Sequence, residues 1–142
     1  MSWINGPDEV AEGYYSLAIC NLVLCEIEND EEATDVLRII SRSIRDDGRA
    51  LITVCNPESI SANCTTTIER PDVVITNGKI SYDKIVRSTG NTRTEHTRSL
   101  DLVEGLAQLA GLKISKIFHS PGINVDACTD ASEYLGLEMS KI

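Results

Sequence analysis

One stretch limits the possible folds more than any other: Ser16-Leu17-Ala18-Ile19-Cys20-Asn21-Leu22-Val23-Leu24-Cys25-Glu26-Ile27. The apolar run from Leu17 to Cys20 is too short for a helix and lacks the polar alternation of a half-solvated strand. It therefore predicts a strand covered on both faces, as in a parallel sheet. Asn21 interrupts the run, Leu22-Val23-Leu24 follow, and an acidic block spans Glu26 to Glu32. A second unit of the same kind comes next: a helix over Asp30–Arg45, a strand over Ala50–Cys55, then Asn56-Pro57. The core is strand, helix, strand, with a polar residue just past each strand. Ligands of open α/β sheets sit outside the carboxyl ends of the strands, which singles out Asn21 and Asn56.

The local signals agree with this order. Asn29 supplies a capping side chain, and Asp30, Glu31 and Glu32 sit at the positive end of the helix dipole. Ala33, Val36, Leu37, Ile40 and Ile44 recur at helical spacing and predict one packed stripe, ended at Asp46-Asp47-Gly48 by a left-handed Gly48. Residues 57–71 read as a polar, turn-rich segment. Asn77-Gly78 between the runs 72–76 and 79–87 predicts a tight hairpin outside the main sheet, because both central turn positions need positive φ. Residues 88–93 read as a loop. Ser99 caps a second helix with the stripe Leu102, Val103, Leu106, Ala107 and Ala110, closed by Gly111. Two final strands, 113–119 and 133–140, pair antiparallel.

At 142 residues the chain is long enough for one domain with a real core. We divide it into a loop-like entry (1–13), a strand-helix-strand core (14–56), a hairpin insertion (57–98), and a helix with a terminal strand pair (99–142). A formal net charge of −9 repels phosphate backbones and anionic lipids, so neither nucleic acid nor membrane is an expected partner. No apolar run approaches the roughly 20 residues of a membrane span, and no secretory signal is visible at the start, so a cytoplasmic location is expected. The five cysteines, at 20, 25, 55, 64 and 128, form no CxxC and no metal-ligand spacing with His96 or His119. They read as free thiols, with no metal expected, and Cys20 and Cys55 end neighbouring strands.

Four segments in order resemble the C-terminal half of a class I S-adenosylmethionine-dependent methyltransferase of the small-molecule type. Tyr15 to Ile27 is similar to that family's fourth strand and the turn after it. Val36-Leu37 through Ser43-Ile44-Arg45-Asp46-Asp47-Gly48-Arg49-Ala50-Leu51-Ile52 resembles the next helix, its Pro-Gly-Gly-like turn and the fifth strand. Glu95 to Leu100 with the helix to Gly111, and Ser132 to Glu138, resemble the family's end. The resemblance implies a partial Rossmann-like α/β sheet: parallel strands, an antiparallel C-terminal strand pair and an inserted β-hairpin. The sequence departs from the family at Ser16, Glu26 and Asp46-Asp47-Gly48, and it has no GxGxG and no counterpart of the acid that holds the cofactor ribose.

By this resemblance Cys20, Asn21 and Leu22 line one side of an S-adenosylmethionine pocket. Asn56, Tyr82, Glu95 and Arg98 face a small-molecule acceptor, and His96 is the candidate general base. Read as residues alone, Asn21 is equally a strand-end cap, Asn56 a turn residue before Pro57, and His96 a solvated side chain. Two functions stand: a methyltransferase whose N-terminal half lies elsewhere, and a non-catalytic methyltransferase-like module that pairs with another chain. In either case the chain alone is expected to bind the cofactor poorly. Leu17–Cys20 should form an unprotected sheet edge, open to self-association or to a chain supplying the missing half.

Overall fold

The computed structural model describes residues 11–62, 68–120 and 134–142. Its first sheet contains β1 (Tyr15–Asn21), β2 (Ile44–Cys55), β7 (Leu112–His119) and β8 (Tyr134–Lys141), in the order β1-β2-β8-β7. β1 and β2 run parallel, in register from Leu17↔Arg49 to Asn21↔Thr53. β8 lies antiparallel to both β2 and β7. This is the expected α/β sheet with parallel strands and an antiparallel C-terminal pair.

Two helices cover one face of this sheet. α1 (Asp30–Ser43) begins at Asn29, whose side chain accepts from the amides of Glu31 and Glu32 at 2.8 and 3.2 Å. α3 (Leu100–Leu109) begins at Ser99, whose hydroxyl accepts from the Leu102 amide at 3.2 Å, and Gly111 closes it at φ +80°. Ala33, Leu37, Ile40, Val103, Leu106 and Ala107 from the helices meet Ala50, Ile52, Leu135, Leu137 and Met139 from the sheet in one apolar core.

The end of α1 differs from the sequence reading. The helix stops at Ser43, and Ile44 already pairs with Tyr15. The amides of Gly13 and Tyr14 take the Arg42 and Ser43 carbonyls at 2.8 and 3.0 Å, which draws the chain into the sheet two residues early. Gly48 has no positive φ. It lies in a bulge between the pairs Tyr15↔Ile44 and Leu17↔Arg49, where a Cβ would stand 2.9 Å from the Arg45 carbonyl oxygen. Glycine is needed there for close approach of backbone.

β1 also differs in one respect. Cys20 is buried, but Leu17 and Ile19 on the opposite face are 53% and 67% exposed. The helices cover only one face, and among the described residues no strand pairs with the outer edge of β1.

The segment between β2 and α3 builds a second sheet rather than a lone hairpin. It contains a short helix, α2 (Pro57–Ala62), and four strands: β3 (Ile68–Glu69), β4 (Val74–Thr76), β5 (Lys79–Val86) and β6 (Thr92–Arg98). The turn at Asn77-Gly78 is as expected, with φ of +50° and +80° joining Thr76 to Lys79. β6, read as loop up to Arg93, pairs with β5 along its length. It is mostly polar and charged, so apolar periodicity could not reveal it. α2 was likewise hidden in a stretch read as turns. Among the described residues no helix is long and apolar enough to cross a membrane.

Candidate functional site

The second sheet sits over the carboxyl ends of β1 and β2. Two contacts fix it there. One is a small cluster of Cys55, Ile60, Ile80 and Tyr82, with Leu22, Val73 and Tyr134 packed around it. The other is Arg98, 4% exposed, at the end of β6. Its Nε donates to Asp30 Oδ1 at 2.7 Å, its Nη1 to the Leu24 carbonyl at 2.8 Å, and its Nη2 to the carbonyls of Ile27 and Glu28 at 2.7 and 3.2 Å. Lys79 adds a bond to the Glu28 carbonyl at 2.6 Å. A planar guanidinium with five donors suits this cluster of loop carbonyls. Arg98 therefore holds the loop after β1 against the second sheet, and its donors are engaged there rather than toward an acceptor.

Beside this clamp lies a buried polar group. Tyr82, 2% exposed, donates its hydroxyl to Glu95 Oε2 at 2.9 Å and meets Thr97 Oγ1 at 3.1 Å. Lys84 Nζ stands 3.3 Å from Glu95 Oε1. Burial pushes the Tyr82 hydroxyl well above its ordinary value, with the charges of Cys55 and Glu95 adding to the effect. The Arg70 guanidinium lies 5.3 Å from the Tyr82 ring centre, and its buried Nε has no hydrogen-bond partner among the described residues. His96, also buried, shares a 2.8 Å hydrogen bond with Ser81 Oγ through Nδ1.

Two thiols complete the group. Cys25, from the single 3₁₀ turn Leu24–Glu26, donates to the Leu22 carbonyl at 2.9 Å. A hydrogen bond with Cys55 and burial both keep the Cys25 thiol protonated far above the ordinary range. Cys55 moves the other way: its bond with Cys25 lowers it, with help from Lys84 and Tyr82 and against burial and Glu95. The neighbour of Cys55 is thus Cys25, whereas the strand ends had suggested Cys20.

The remaining expected residues fall into two places. Asn56 is buried and caps α2, its Oδ1 accepting from the Glu58 amide at 3.1 Å. Asn56 follows Cys55, against which Tyr82 and Glu95 lie, whereas His96 points with Ser81 to the opposite face of β6. Cys20, Asn21 and Leu22 are at the end of β1. Cys20 turns its thiol into the core, where burial raises it, so only its backbone can face a ligand. Asn21 is exposed, and Leu22 takes a positive φ of +57° with its amide on the Thr53 carbonyl at 3.0 Å. That conformation is costly for a branched residue and belongs to sites where the chain must turn sharply. Cys25, Ser81, Lys84, Thr97 and Arg70 were not singled out from sequence. The signal was cross-strand pairing for Ser81 with His96 and a diagonal neighbour position for Thr97 beside Tyr82, which requires β6 to be known first.

No family model matches the chain, and no curated protein does. Solved structures do match. A putative S-adenosylmethionine-dependent methyltransferase from Listeria monocytogenes aligns at TM-score 0.65 and 11% identity, over 97% of this chain and 67% of that one. One from Clostridium acetobutylicum aligns at 0.60 and 10%, over 90% and 58%. The 1,6-didemethyltoxoflavin-N1-methyltransferase of Burkholderia thailandensis, solved with 1,6-didemethyltoxoflavin and S-adenosylhomocysteine bound, aligns at 0.59 and 14%, over 95% and 47%. The chain thus spans about half to two-thirds of the length of these neighbours. Its fold is that of the C-terminal part of a class I S-adenosylmethionine-dependent methyltransferase.

Proposed function

We propose that this chain is the C-terminal portion of a methyltransferase that moves a methyl group from S-adenosylmethionine to a small-molecule acceptor. The observation that carries this reading is the strand order β1-β2-β8-β7, parallel at one end and antiparallel at the other, with a separate sheet over the carboxyl ends of β1 and β2. That is where an open α/β sheet takes its ligands. S-adenosylmethionine, when bound, supplies an electrophilic methyl group on a sulfonium.

The residues present fit one wall of that cofactor site. The exposed Asn21 amide and the backbone turned at Leu22 face the end of β1. The wall made by a glycine-rich turn has no counterpart in the sequence. On the other side we assign Asn56, past β2, and Tyr82 and Glu95 of the second sheet to the acceptor, and Arg70 Nε, buried and without a hydrogen-bond partner among the described residues, is a further donor. Methyl transfer depends mostly on alignment of donor and nucleophile. His96, oriented by Ser81, is the group we assign to take the acceptor proton. The strands that complete the sheet beside β1 would come from another part of the polypeptide or from a partner chain.

The test is calorimetric titration with S-adenosylhomocysteine, on the chain alone and joined to an N-terminal half carrying strand, glycine-rich turn and helix. Charge-assisted contacts of about 1.5–3 kcal/mol each are missing from the chain alone, which costs several powers of ten in affinity. Micromolar binding by the joined protein and much weaker binding by the chain alone are expected. A joined, folded protein without cofactor affinity would favour the non-catalytic, chain-pairing module instead.

A further inference from the structure

Three side chains with metal-ligating chemistry converge beneath the second sheet. They come from separate elements: Cys25 from the 3₁₀ turn after β1, Cys55 from the last position of β2, and Glu95 from β6. Their ligating atoms lie within 4.8 Å of one another. All three residues are buried, at 5%, 7% and 3% exposure. We propose that Cys25, Cys55 and Glu95 form a binding site for one divalent cation of borderline softness, zinc by preference, at the carboxyl end of β2. The proposal does not depend on the methyltransferase reading.

The donor set chooses the ion. Two thiolates exclude magnesium and calcium, which take oxygen ligands, and favour zinc. Zinc–sulfur bonds of about 2.3 Å put ligand atoms about 3.8 Å apart in a tetrahedron. The three donors therefore need only a modest contraction. A cavity of about 10 Å³ lies against Cys25 and Cys55, with His96 and Thr97 also on its wall but not Glu95, which reaches the thiols from outside its lining. That is room for one small sphere.

Charge also balances. With both thiols protonated, Glu95 and Lys84 form a neutral pair across 3.3 Å. Entry of a dication with release of two thiol protons leaves the group neutral again: two thiolates and a carboxylate against zinc and Lys84. A buried site that is neutral in both states avoids the large cost of an unpaired charge. Glu95 is already held as metal-bound carboxylates are, by Tyr82 on Oε2 at 2.9 Å and Lys84 on Oε1, and each oxygen keeps a lone pair. Three protein ligands leave a fourth position for water, the pattern of reactive rather than purely structural zinc sites.

The experiment titrates the reduced full chain with cobalt(II), then with zinc. The expected result is one cobalt per chain, a thiolate-to-cobalt charge-transfer band, tetrahedral d–d bands, two protons released per ion, and loss of the bands when zinc displaces cobalt. Cys25→Ser and Cys55→Ser should each remove the charge-transfer band. Cys20→Ser should keep it, and Lys84→Met should weaken affinity about 10–100-fold. Circular dichroism of each metal-free variant separates loss of ligand from loss of fold. The wild-type melting temperature, which needs no variant, should rise with zinc. Absence of the charge-transfer band in the reduced wild type, or its survival in folded Cys55→Ser, overturns the proposal.

Discussion

The two packed regions of this molecule are built from different chemistry. Between the helices and the first sheet the core is nearly all aliphatic: Leu37, Ile52, Val103, Leu137 and Met139, each with 2% exposure or less. Between the second sheet and the strand ends, space that is also buried holds Arg98, Glu95, Tyr82, His96, Cys25 and Cys55. An apolar core is tolerant and non-directional; it holds a fold together whatever the pH. A buried polar junction is stable only when each group finds its partner, and its groups can titrate, bind an ion or meet a substrate. The contrast sets an aliphatic core apart from a buried junction of titratable groups.

The comparison is sharpened most by a cavity in the apolar core. Leu137→Ala should cost about 2–5 kcal/mol in chemical denaturation. The slope of stability against pH should match wild type. Arg98→Met comes next. It removes the Arg98 bonds to the carbonyls of Leu24, Ile27 and Glu28, of which Leu24 keeps the Ile27 amide and Glu28 keeps Lys79, and we expect a loss of about 2–3 kcal/mol. Hydrogen exchange should show fast amides confined to residues 22–29 and β6. An equal loss of protection in α3 and β8 would mean that the two regions are not separable.

Alkaline pH distinguishes the regions more finely. The folded thiol of Cys25 and hydroxyl of Tyr82 both lie above their ordinary values of 9.0 and 10.0. The lowered thiol of Cys55 opposes the Cys25 effect, whereas Tyr82 has no such counterweight: the unfolded chain loses the tyrosine proton first, so this part of the stability falls as pH rises through 10. Below that point the contribution is fully present. Tyr82→Phe, followed by denaturant melts across this range, should lose about 1 kcal/mol at neutral pH and show a shallower decline above pH 10. A decline as steep as wild type would remove Tyr82 from the account. The smallest effect belongs to the bare face of β1. Ile19→Lys should change monomer stability by less than about 0.5 kcal/mol while reducing self-association in sedimentation.

The same contrast explains what could be read before the structure. The strand Leu17–Cys20, both helices with their N-terminal caps, the Asn77-Gly78 turn and the closing strand pair all carry local or periodic signals, and all formed. The polar junction carries none. Cys25, Cys55 and Glu95 are 30 and 40 residues apart along the chain and meet only through the placement of a polar strand, β6, that has no apolar rhythm. Arg98 and Glu95 were expected only through the resemblance, as contacts to an acceptor. Their burial, and the engagement of Arg98 by the loop after β1, follow from tertiary packing. The early end of α1 also depended on a non-local event, the capture of the Arg42 and Ser43 carbonyls by residues 13 and 14.

The proposed cofactor site lies at the end of β1 and needs strands beyond β1, β2, β7 and β8. Amide chemical-shift mapping tests it most directly, using isotope-labelled chain joined to the complementing N-terminal half and saturated with S-adenosylhomocysteine. We predict large shifts at Cys20, Asn21 and Leu22, smaller ones at Asn56, and none along Leu112–Ile117, with little change anywhere when the chain is titrated alone. Shifts confined to β7, or micromolar binding by the chain alone at another surface, would contradict the account.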